Sequence, residues 1–174
     1  IATQFKPIVA KTIFNMTDAK TVLDTSMGWG DRLAGFYASN ATHYIGCDPN
    51  PYTFDIYSQM INEYDKLAPG KTTQIYRCGA EDLPWDTIEN VDCAFTSPPY
   101  FSTEMYNKGG EFEEDQSWSK FNEYEKWRDG FYLPVALNSF NSLSENGFLM
   151  TNIMDPKIKG KRYRSCDELV DSLQ

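Results

Sequence analysis

The sequence is poor in the residues that most often bind metal ions. It has a single histidine, His43, and its four cysteines, at positions 47, 78, 93 and 166, form no C-x-x-C pair. Because a structural zinc site needs four such ligands at characteristic spacings, the sequence excludes a Cys/His zinc site. Cys47, Cys78 and Cys93 fall in apolar runs. This predicts buried free thiols, as expected in the reducing cytoplasm.

Long apolar runs are also missing from the sequence. A transmembrane helix needs about 20 mostly apolar residues to cross a bilayer, and no such run occurs. No signal-peptide pattern is present either. We therefore expect a cytoplasmic protein that neither spans a membrane nor is secreted.

Basic residues are scarce, since 16 Lys and Arg stand against 25 Asp and Glu, a formal net charge of -9. Binding to a polyanion rests on Lys and Arg, so this balance disfavours a protein whose whole surface binds nucleic acid. The exception is KIKGKRYR, residues 157–164, which contains five basic residues. On charge alone we interpret it as a solvated loop, and a local basic patch stays open as the alternative.

Apolar runs alternate with helical patterns along the whole chain. Its 174 residues, 41% of them hydrophobic, are enough for one domain with a core. The apolar runs predict five strands, at residues 21–25, 43–48, 73–79, 91–97 and 147–154. Aromatic residues at helical spacing predict a long helix over residues 118–143, kinked at Pro134. The alternation is typical of an α/β fold with a doubly wound, mostly parallel sheet covered by helices on both faces.

Ligands of such sheets bind beyond the carboxyl ends of the strands. After the first strand come Asp24, Gly28 and Gly30, and the two glycines allow the backbone to approach a ligand closely. Asp24 ends the strand, where it can accept a hydrogen bond from a ligand ammonium, and Asp31 is the expected N-cap of the helix that follows. A dinucleotide fingerprint would need a third glycine where this chain has Leu33, which counts against a nicotinamide-dependent oxidoreductase.

Acidic residues follow the second and third strands. Asp48 follows Gly28 by 20 residues, a spacing at which an acid can hydrogen-bond ribose hydroxyls. Alternatively, Asp48 only starts the turn formed by DPNP. After the third strand, Gly79 and Ala80 leave room for a flat ring. Glu81 or Asp82 can then accept a hydrogen bond from an exocyclic amine. Alternatively, these acids only stabilise the dipole of a helix that starts there.

The fourth strand ends in FTSPPYF, residues 95–101. Within four residues, this corner contains the Ser97 hydroxyl, the Pro98 carbonyl and the aromatic face of Tyr100. Proline restricts the direction of the carbonyl, and an aromatic face stacks on any planar base. Two acceptors that converge on an amino group can hold its nitrogen for attack on an electrophile. A strand-ending turn explains the prolines but not this polar, Pro-Pro, aromatic order.

The sequence SPPY resembles the catalytic motif [DNS]-P-P-[YFW] of S-adenosylmethionine-dependent amino-methyltransferases that act on DNA bases. DTSMGWG, residues 24–30, is similar to the cofactor loop D-x-F-x-G-x-G of that family, with Ser26 at the aromatic position and Trp29 nearby as a substitute. TQFKP, residues 3–7, resembles the family's Lys-Pro motif with Phe5 inserted. The resemblance covers about residues 5–154, in the motif order of the gamma group.

The resemblance implies a single S-adenosylmethionine-dependent methyltransferase catalytic domain over residues 1–174. We expect this chain to be a piece of a longer protein, without a separate target-recognition domain and with its sheet truncated after the fifth strand. The implied cofactor-binding residues are Lys6, Pro7, Asp24, Ser26, Gly28, Trp29, Gly30, Asp48, Pro49, Ala80 and Glu81. The implied catalytic residues are Ser97, Pro98, Pro99 and Tyr100, with Phe101 and Tyr106 binding the substrate and no metal.

The reaction implied by the resemblance is methyl transfer to the exocyclic amino nitrogen of a DNA base flipped out of the helix. Serine before Pro-Pro is found more with N4-cytosine enzymes than with N6-adenine enzymes, so cytosine N4 is the first expectation. Methylation of cytosine C5 needs a Pro-Cys nucleophile, which this sequence lacks. An RNA base, a protein glutamine amide and a non-catalytic binding module of the same fold remain as alternatives.

Overall fold

A computed structural model describes residues 5–174; Thr3 and Gln4 of the TQFKP stretch lie outside the described residues. The helices are α1 (Pro7–Met16), α2 (Asp31–Tyr37), α3 (Pro51–Leu67), α4 (Ser117–Lys120), α5 (Tyr124–Trp127), α6 (Leu133–Asn141) and α7 (Ser165–Ser172). The strands are β1 (Thr21–Asp24), β2 (His43–Cys47), β3 (Thr72–Tyr76), β4 (Val91–Thr96), β5 (Leu143–Thr151), β6 (Lys157–Ile158) and β7 (Lys161–Arg162). No helix within residues 5–174 is long and apolar enough to cross a membrane.

Strands β1 to β5 form one parallel sheet in the order β3-β2-β1-β4-β5. The chain first builds the sheet outwards from β1 to β3 and then returns to add β4 and β5 on the other side of β1. The switch point between β1 and β4 is where sheets of this kind form their ligand crevice. The order confirms the predicted doubly wound α/β fold.

Residues of the central strands alternate between two buried faces. On one face Val22 and Cys93 pack with side chains of α1, α2 and α3. On the other face Leu23 and Ala94 pack with the aromatic side chains of the region from α5 to α6. Helices therefore cover both faces of the sheet, as predicted from the alternation of strand and helix patterns.

The packing of α1 on α2 depends on Gly35. A Cβ atom at this position would lie 2.6 Å from the Cβ of Ala10 and 2.7 Å from the carbonyl oxygen of Pro7. The missing side chain therefore lets the two helices approach closely. This contact holds the first turn of α1, and Lys6 just before it, beside the sheet.

The prediction of one long helix over residues 118–143 is wrong. Helix α4 ends at Lys120, and the chain resumes as α5, a π-helical turn at Arg128–Tyr132, and α6. Pro134 is the second residue of α6, which follows the π turn; it has no N–H to donate and disturbs the regular ladder of the preceding turn. The helical spacing of Tyr124, Trp127 and Phe131 reflects their burial in the core rather than one continuous helix.

The end of the chain also differs from the prediction. Strand β5 runs from Leu143 to Thr151 rather than over residues 147–154, with a register shift where it pairs with the start of β4. KIKGKRYR is not a loop but contains the antiparallel hairpin β6–β7. Its turn has positive φ at Lys159, 48°, and Gly160, 86°. Two positive φ values in a row are the pattern of the tight turns that suit twisted hairpins.

Candidate functional site

A cavity of about 520 Å³ opens at the carboxyl edge of the sheet. Its walls include residues that follow each of the five strands β1 to β5. The sequence-predicted residues on these walls are Lys6, Ser26, Gly28, Trp29, Asp48, Pro49, Ala80, Glu81, Ser97, Pro99, Tyr100 and Tyr106. The fold thus brings most of the predicted site together around one space, large enough for a ligand of small-molecule size.

The glycine loop after β1 is held in place by one side chain from the turn after β2 and one from α3. Gly28 has a φ of 58°, and its N–H donates to Asp48 Oδ2 at 3.0 Å. The Tyr57 hydroxyl of α3 donates to the Gly28 carbonyl. Trp29, at the tip of this loop, lines the cavity and is 60% exposed. The loop therefore keeps a fixed backbone while presenting one large aromatic side chain to incoming molecules.

Asp48 does two things in this geometry. Its Oδ1 accepts from the Asn50 N–H at 2.9 Å and from the Thr53 hydroxyl at 3.2 Å, which organises the turn into α3. Its Oδ2 accepts from the glycine loop, and the residue also lines the cavity. Burial raises the pKa of Asp48 above its usual value, although these hydrogen bonds work against the shift. Both interpretations of Asp48, turn residue and wall of a ligand site, are therefore compatible with its position.

Asp24 does not line the cavity, and its carboxylate is used inside the protein. Oδ2 accepts from Arg32 Nε at 2.9 Å and from the Tyr44 hydroxyl at 2.8 Å, while Oδ1 accepts from the Ser26 N–H at 3.2 Å. Asp24 is fully buried. The predicted contact between Asp24 and a ligand ammonium is therefore not the arrangement seen here, because Arg32 takes that position.

Arg32 is a functional candidate that the sequence analysis missed. Its guanidinium donates to the Ser26 carbonyl, lies 5.4 Å from the centre of the Phe5 ring, and lines the cavity. Burial works to lower the pKa of Arg32, but the Asp24 carboxylate more than compensates and raises it. The signal was an arginine just after the glycine loop, in a helix whose other residues are mostly apolar.

Glu81 folds back over Gly79. A Cβ at Gly79 would lie 2.4 Å from Glu81 Oε2, so the room that we predicted there for a flat ring is taken by the Glu81 carboxylate. Glu81 Oε1 accepts from Lys120 Nζ at 2.8 Å, but Oε2 is buried and has no hydrogen-bond partner within residues 5–174. One oxygen of this carboxylate is therefore available to a ligand donor.

The SPPY corner is joined to the end of β5 by Asn152, which the sequence analysis also missed. Ser97 Oγ lies 3.1 Å from the Tyr100 hydroxyl, and both oxygens lie 3.3 Å from Asn152 Nδ2. The backbone carbonyl of Asn152 accepts from Tyr100 at 3.1 Å and from Ser97 at 3.3 Å. All three residues line the cavity. The available signal was that Asn152 follows directly after a strand that ends at this edge.

Two residues of the predicted corner point away from the main cavity. Pro98 lines a separate, smaller cavity beneath the corner, beside Phe131 and Tyr132. Phe101 is 4% exposed and packs against Tyr124 and Trp127 at ring-centre distances of 6.0 and 5.8 Å. The structure therefore places Phe101 in the core, not on the wall where the prediction had it contact the substrate.

Pro7 and Gly30 are also absent from the cavity wall. Pro7 is the first residue of α1, and Gly30 is the N-cap of α2 with a φ of 81°. A Cβ at Gly30 would lie 2.8 Å from Met60 Cε. Both residues support the walls from behind, by starting α1 and by allowing α2 to pack on α3. Asp31, which we predicted to cap α2, is instead its first residue.

The segment between β4 and α5 covers one side of the cavity. Besides Tyr106, it contributes Glu104, Asn107, Asp115, Gln116 and Ser117 to the lining. The Tyr52 hydroxyl of α3 donates to Glu111 of this segment at 2.6 Å and so ties it to α3. Within the segment, Trp118 Nε1 donates to the Tyr106 carbonyl at 2.9 Å. The polar, glycine-rich composition of residues 109–115 predicts only a surface loop, because nothing local shows what such a segment covers.

Several buried polar atoms of the wall have no protein partner. Within residues 5–174, the unpartnered atoms on the wall are Thr25 Oγ1, Glu81 Oε2, Asn107 Nδ2 and Ser117 Oγ. Buried polar groups are normally hydrogen-bonded, so this concentration around one space indicates a polar ligand. The wall is also acidic, with Asp31, Asp48, Glu81, Glu104 and Asp115 against Lys6 and Arg32. The ligand it fits best carries hydrogen-bond donors and positive charge.

Comparisons with known proteins agree with this picture at the level of the fold. No protein-family model and no curated protein matches the chain. A type I restriction-modification system methyltransferase subunit from Streptococcus thermophilus is similar with a TM-score of 0.62 and 19% identity, covering 98% of this chain and 38% of that one. An rRNA methylase from Streptococcus thermophilus has a TM-score of 0.54 and 15% identity, with 99% and 81% covered.

A third similar structure is an SAH-bound methyltransferase from Podospora anserina. It has a TM-score of 0.53 and 12% identity, over 87% of this chain and 53% of that one. The chain thus spans about half or less of two of these three proteins. At such identities the likeness shows the fold alone. The five-stranded parallel sheet in the order β3-β2-β1-β4-β5 is the core of the S-adenosylmethionine-dependent methyltransferase fold.

Proposed function

We propose that this protein transfers a methyl group from S-adenosylmethionine to an exocyclic amino nitrogen of a DNA base, with cytosine N4 preferred to adenine N6. The observation that carries the proposal is the cluster of Ser97, Tyr100 and Asn152 in the same cavity as the glycine loop and Asp48. An amino-group acceptor set and a cofactor-type loop therefore share one space.

The residues present fit S-adenosylmethionine. Its ammonium and sulfonium groups are positively charged, as the acidic wall favours, and its adenine amine is a donor for which Glu81 Oε2 is free. The Asp48 carboxylate suits its ribose hydroxyls. We expect Lys6, Ser26, Gly28, Trp29, Pro49 and Ala80 to complete the cofactor contacts, since all of them line the cavity.

The substrate half of the proposal rests on the hydrogen-bonding capacity of Ser97. A serine hydroxyl has one hydrogen and two lone pairs. The Asn152 carbonyl and the Tyr100 hydroxyl are both within reach of that hydrogen. When Ser97 donates to one of them and accepts from Asn152 Nδ2, one lone pair remains free to accept from a substrate amine. The Tyr100 ring is available to stack on a planar base, since this residue is only half-buried at the wall.

When bound, S-adenosylmethionine supplies an electrophilic methyl group whose bond to sulfur breaks with the electron pair left on sulfur. The exocyclic amine of a base is a weak nucleophile, because its lone pair is delocalised into the ring. Ser97, helped in our proposal by the Pro98 carbonyl, accepts hydrogen bonds from the amine and draws the nitrogen towards tetrahedral geometry. The nitrogen bonds to the methyl carbon as the bond from that carbon to sulfur breaks, and the nitrogen then releases one of its protons to water. No donor within residues 5–174 bonds to the Pro98 carbonyl, but Pro98 is not on the wall of the main cavity, so its part as the second acceptor stays a prediction.

The test is methyl transfer from labelled S-adenosylmethionine to duplex DNA, RNA and protein, followed by digestion of the products to nucleosides and amino acids. We expect the label in N4-methylcytosine. Ser97→Ala and Tyr100→Ala should abolish transfer without loss of the fold, while Ser58→Ala, an exposed serine of α3, should have no effect. Undiminished transfer by both corner variants would rule out the proposed role of the corner.

The same chemistry on an RNA base or a protein glutamine amide is the second candidate. The net charge of -9 keeps it open, because an enzyme that acts on DNA is expected to have more basic surface. A planar side-chain amide also suits the same acceptors as the amino group of a base. Label recovered in methylglutamine or in a ribonucleoside would identify this alternative. Failure to bind S-adenosylmethionine even at high concentration would instead favour a non-catalytic module.

A further inference from the structure

The hairpin β6–β7 concentrates positive charge on a protein that is otherwise acidic. Residues 157–164 contain five of the 16 Lys and Arg of the chain and none of its 25 Asp and Glu. All five basic side chains are exposed: Lys157, Lys159, Lys161, Arg162 and Arg164. Arg164 pairs with Asp167, whereas Lys157, Lys159 and Lys161 form no ion pair within residues 5–174.

The hairpin is fixed to the core beneath the SPPY corner. Strand β6 packs against the turn Phe101–Thr103, which directly follows the corner. Tyr163 packs against Tyr124 with ring centres 4.0 Å apart, and Tyr124 in turn contacts Phe101. The Tyr163 N–H also donates to the Pro156 carbonyl at 3.0 Å. The charged side chains therefore project from a ribbon whose position relative to the corner is held by packing.

We infer that this hairpin binds the phosphate backbone of a nucleic acid on either side of the nucleotide whose base enters the cavity. The inference rests on the proposed function and names the part of the protein that holds the polymer. Because acidic residues outnumber basic ones on the cavity wall, the cavity disfavours phosphates, and the backbone then needs a basic surface outside it. The hairpin lysines are exposed and have no acidic partner within the described residues, as required for such a surface.

The chemistry of the hairpin favours phosphates over a lipid surface. Its turn consists of Lys159 and Gly160, so it has no exposed aromatic or aliphatic side chain to insert into a bilayer. Its apolar residues, Ile158 and Tyr163, are turned towards the core. An acidic protein is the remaining competitor, and the experiment includes it.

The test compares two triple variants of equal net charge. Lys157, Lys159 and Lys161 are changed to Gln in one; Lys20, Lys66 and Lys126, exposed lysines elsewhere, are changed to Gln in the other. Binding of fluorescent oligonucleotides, single- and double-stranded, is measured by anisotropy over a series of salt concentrations. Each lost phosphate contact lowers the slope of log Kd against log salt by about 0.7–0.9.

We expect the hairpin triple variant to lose about 2 units of slope and the control triple variant to lose none. Equal losses in both, or no loss in either, would overturn the inference, as would binding of polyglutamate in preference to oligonucleotides. The outcome is separable from the proposed function. Hairpin-dependent binding of nucleic acid without methyl transfer would contradict only the proposed function. Methyl transfer at an unchanged rate in the hairpin triple variant would contradict only this inference.

Discussion

Arg32 and Asp24 form an ion pair inside the protein, with 2.9 Å between Nε and Oδ2 and side chains that are 5% and 1% exposed. The pair links the second residue of α2 to the end of β1. Because Arg32 also bonds to the Ser26 carbonyl, the glycine loop depends on a charge that is itself compensated only by Asp24 within the described residues.

Removing one partner of this pair should destabilise the fold strongly. We expect Arg32→Met to lower the free energy of unfolding by about 3–5 kcal/mol, since it leaves the Asp24 carboxylate buried and unpaired. The control is Lys20→Met, which breaks an exposed pair with Asp18 and should change stability by no more than about 1 kcal/mol. Urea unfolding measures both. The double variant Asp24→Asn/Arg32→Met should recover part of the loss, and if it is no better than Arg32→Met, the pair is not what matters.

Cofactor affinity should depend on the protonation of Asp48. The carboxylate form accepts from ribose hydroxyls better than the acid form, so affinity is retained above the Asp48 pKa and lost as pH falls through it. Because burial raises this pKa, the loss should begin at a higher pH than for an ordinary aspartate. Titration calorimetry with S-adenosylmethionine at decreasing pH measures it. Asp48→Asn should bind roughly 10-fold more weakly and show a flatter pH dependence, and an unchanged pH profile would contradict the role of Asp48.

Gly79→Ala should weaken cofactor binding with little effect on the fold. The new Cβ would collide with the Glu81 carboxylate, which is the movable end of a side chain and can swing away. The buried acceptor Oε2 would then leave the wall, at a cost of about 1.5–3 kcal/mol in binding, or roughly 10- to 100-fold in Kd. Glu81→Gln, which keeps the shape but not the charge, should fall between this variant and the wild type. A Gly79→Ala protein with normal affinity would show that Glu81 does not contact the ligand.

Asn152 should act on turnover rather than on cofactor binding. Asn152→Ala removes the amide that lies between Ser97 and Tyr100 but keeps the backbone carbonyl. We expect kcat to fall by up to about 10-fold for each hydrogen bond lost, with the Kd of S-adenosylmethionine unchanged. Asn152→Gln should restore part of kcat if the amide positions these hydroxyls. Asn62→Ala, on the exposed face of α3, is the control. A parallel rise in the cofactor Kd would mean a general structural role instead.

Much of the fold could be predicted because the strands are nearly continuous apolar runs. Parallel strands send their carboxyl ends to one edge, so the order of the strands along the sequence is enough to predict that Gly28, Asp48, Glu81 and Ser97 meet. The cavity has these residues on its wall. Their roles towards a ligand stay predictions.

The rest could not be predicted because it depends on contacts between distant parts of the chain. Helical spacing of Tyr124, Trp127 and Phe131 reports burial, but the break after Lys120 and the π turn depend on how these rings pack against distant parts of the core. Whether Asp24 faces a ligand or Arg32, and whether Phe101 faces the cavity or the core, is decided by partners elsewhere in the sequence.

The backbone at Phe101 has a consequence for how the corner works. Its φ is 47°, a left-handed conformation that costs an aromatic residue about 1–2 kcal/mol, and its side chain is anchored between Tyr124 and Trp127. The turn cannot relax unless this ring leaves the core. The corner is therefore preorganised: its shape exists before any substrate arrives. Binding of a substrate therefore costs little conformational entropy of the protein, and more of the binding energy remains to stabilise the reacting geometry.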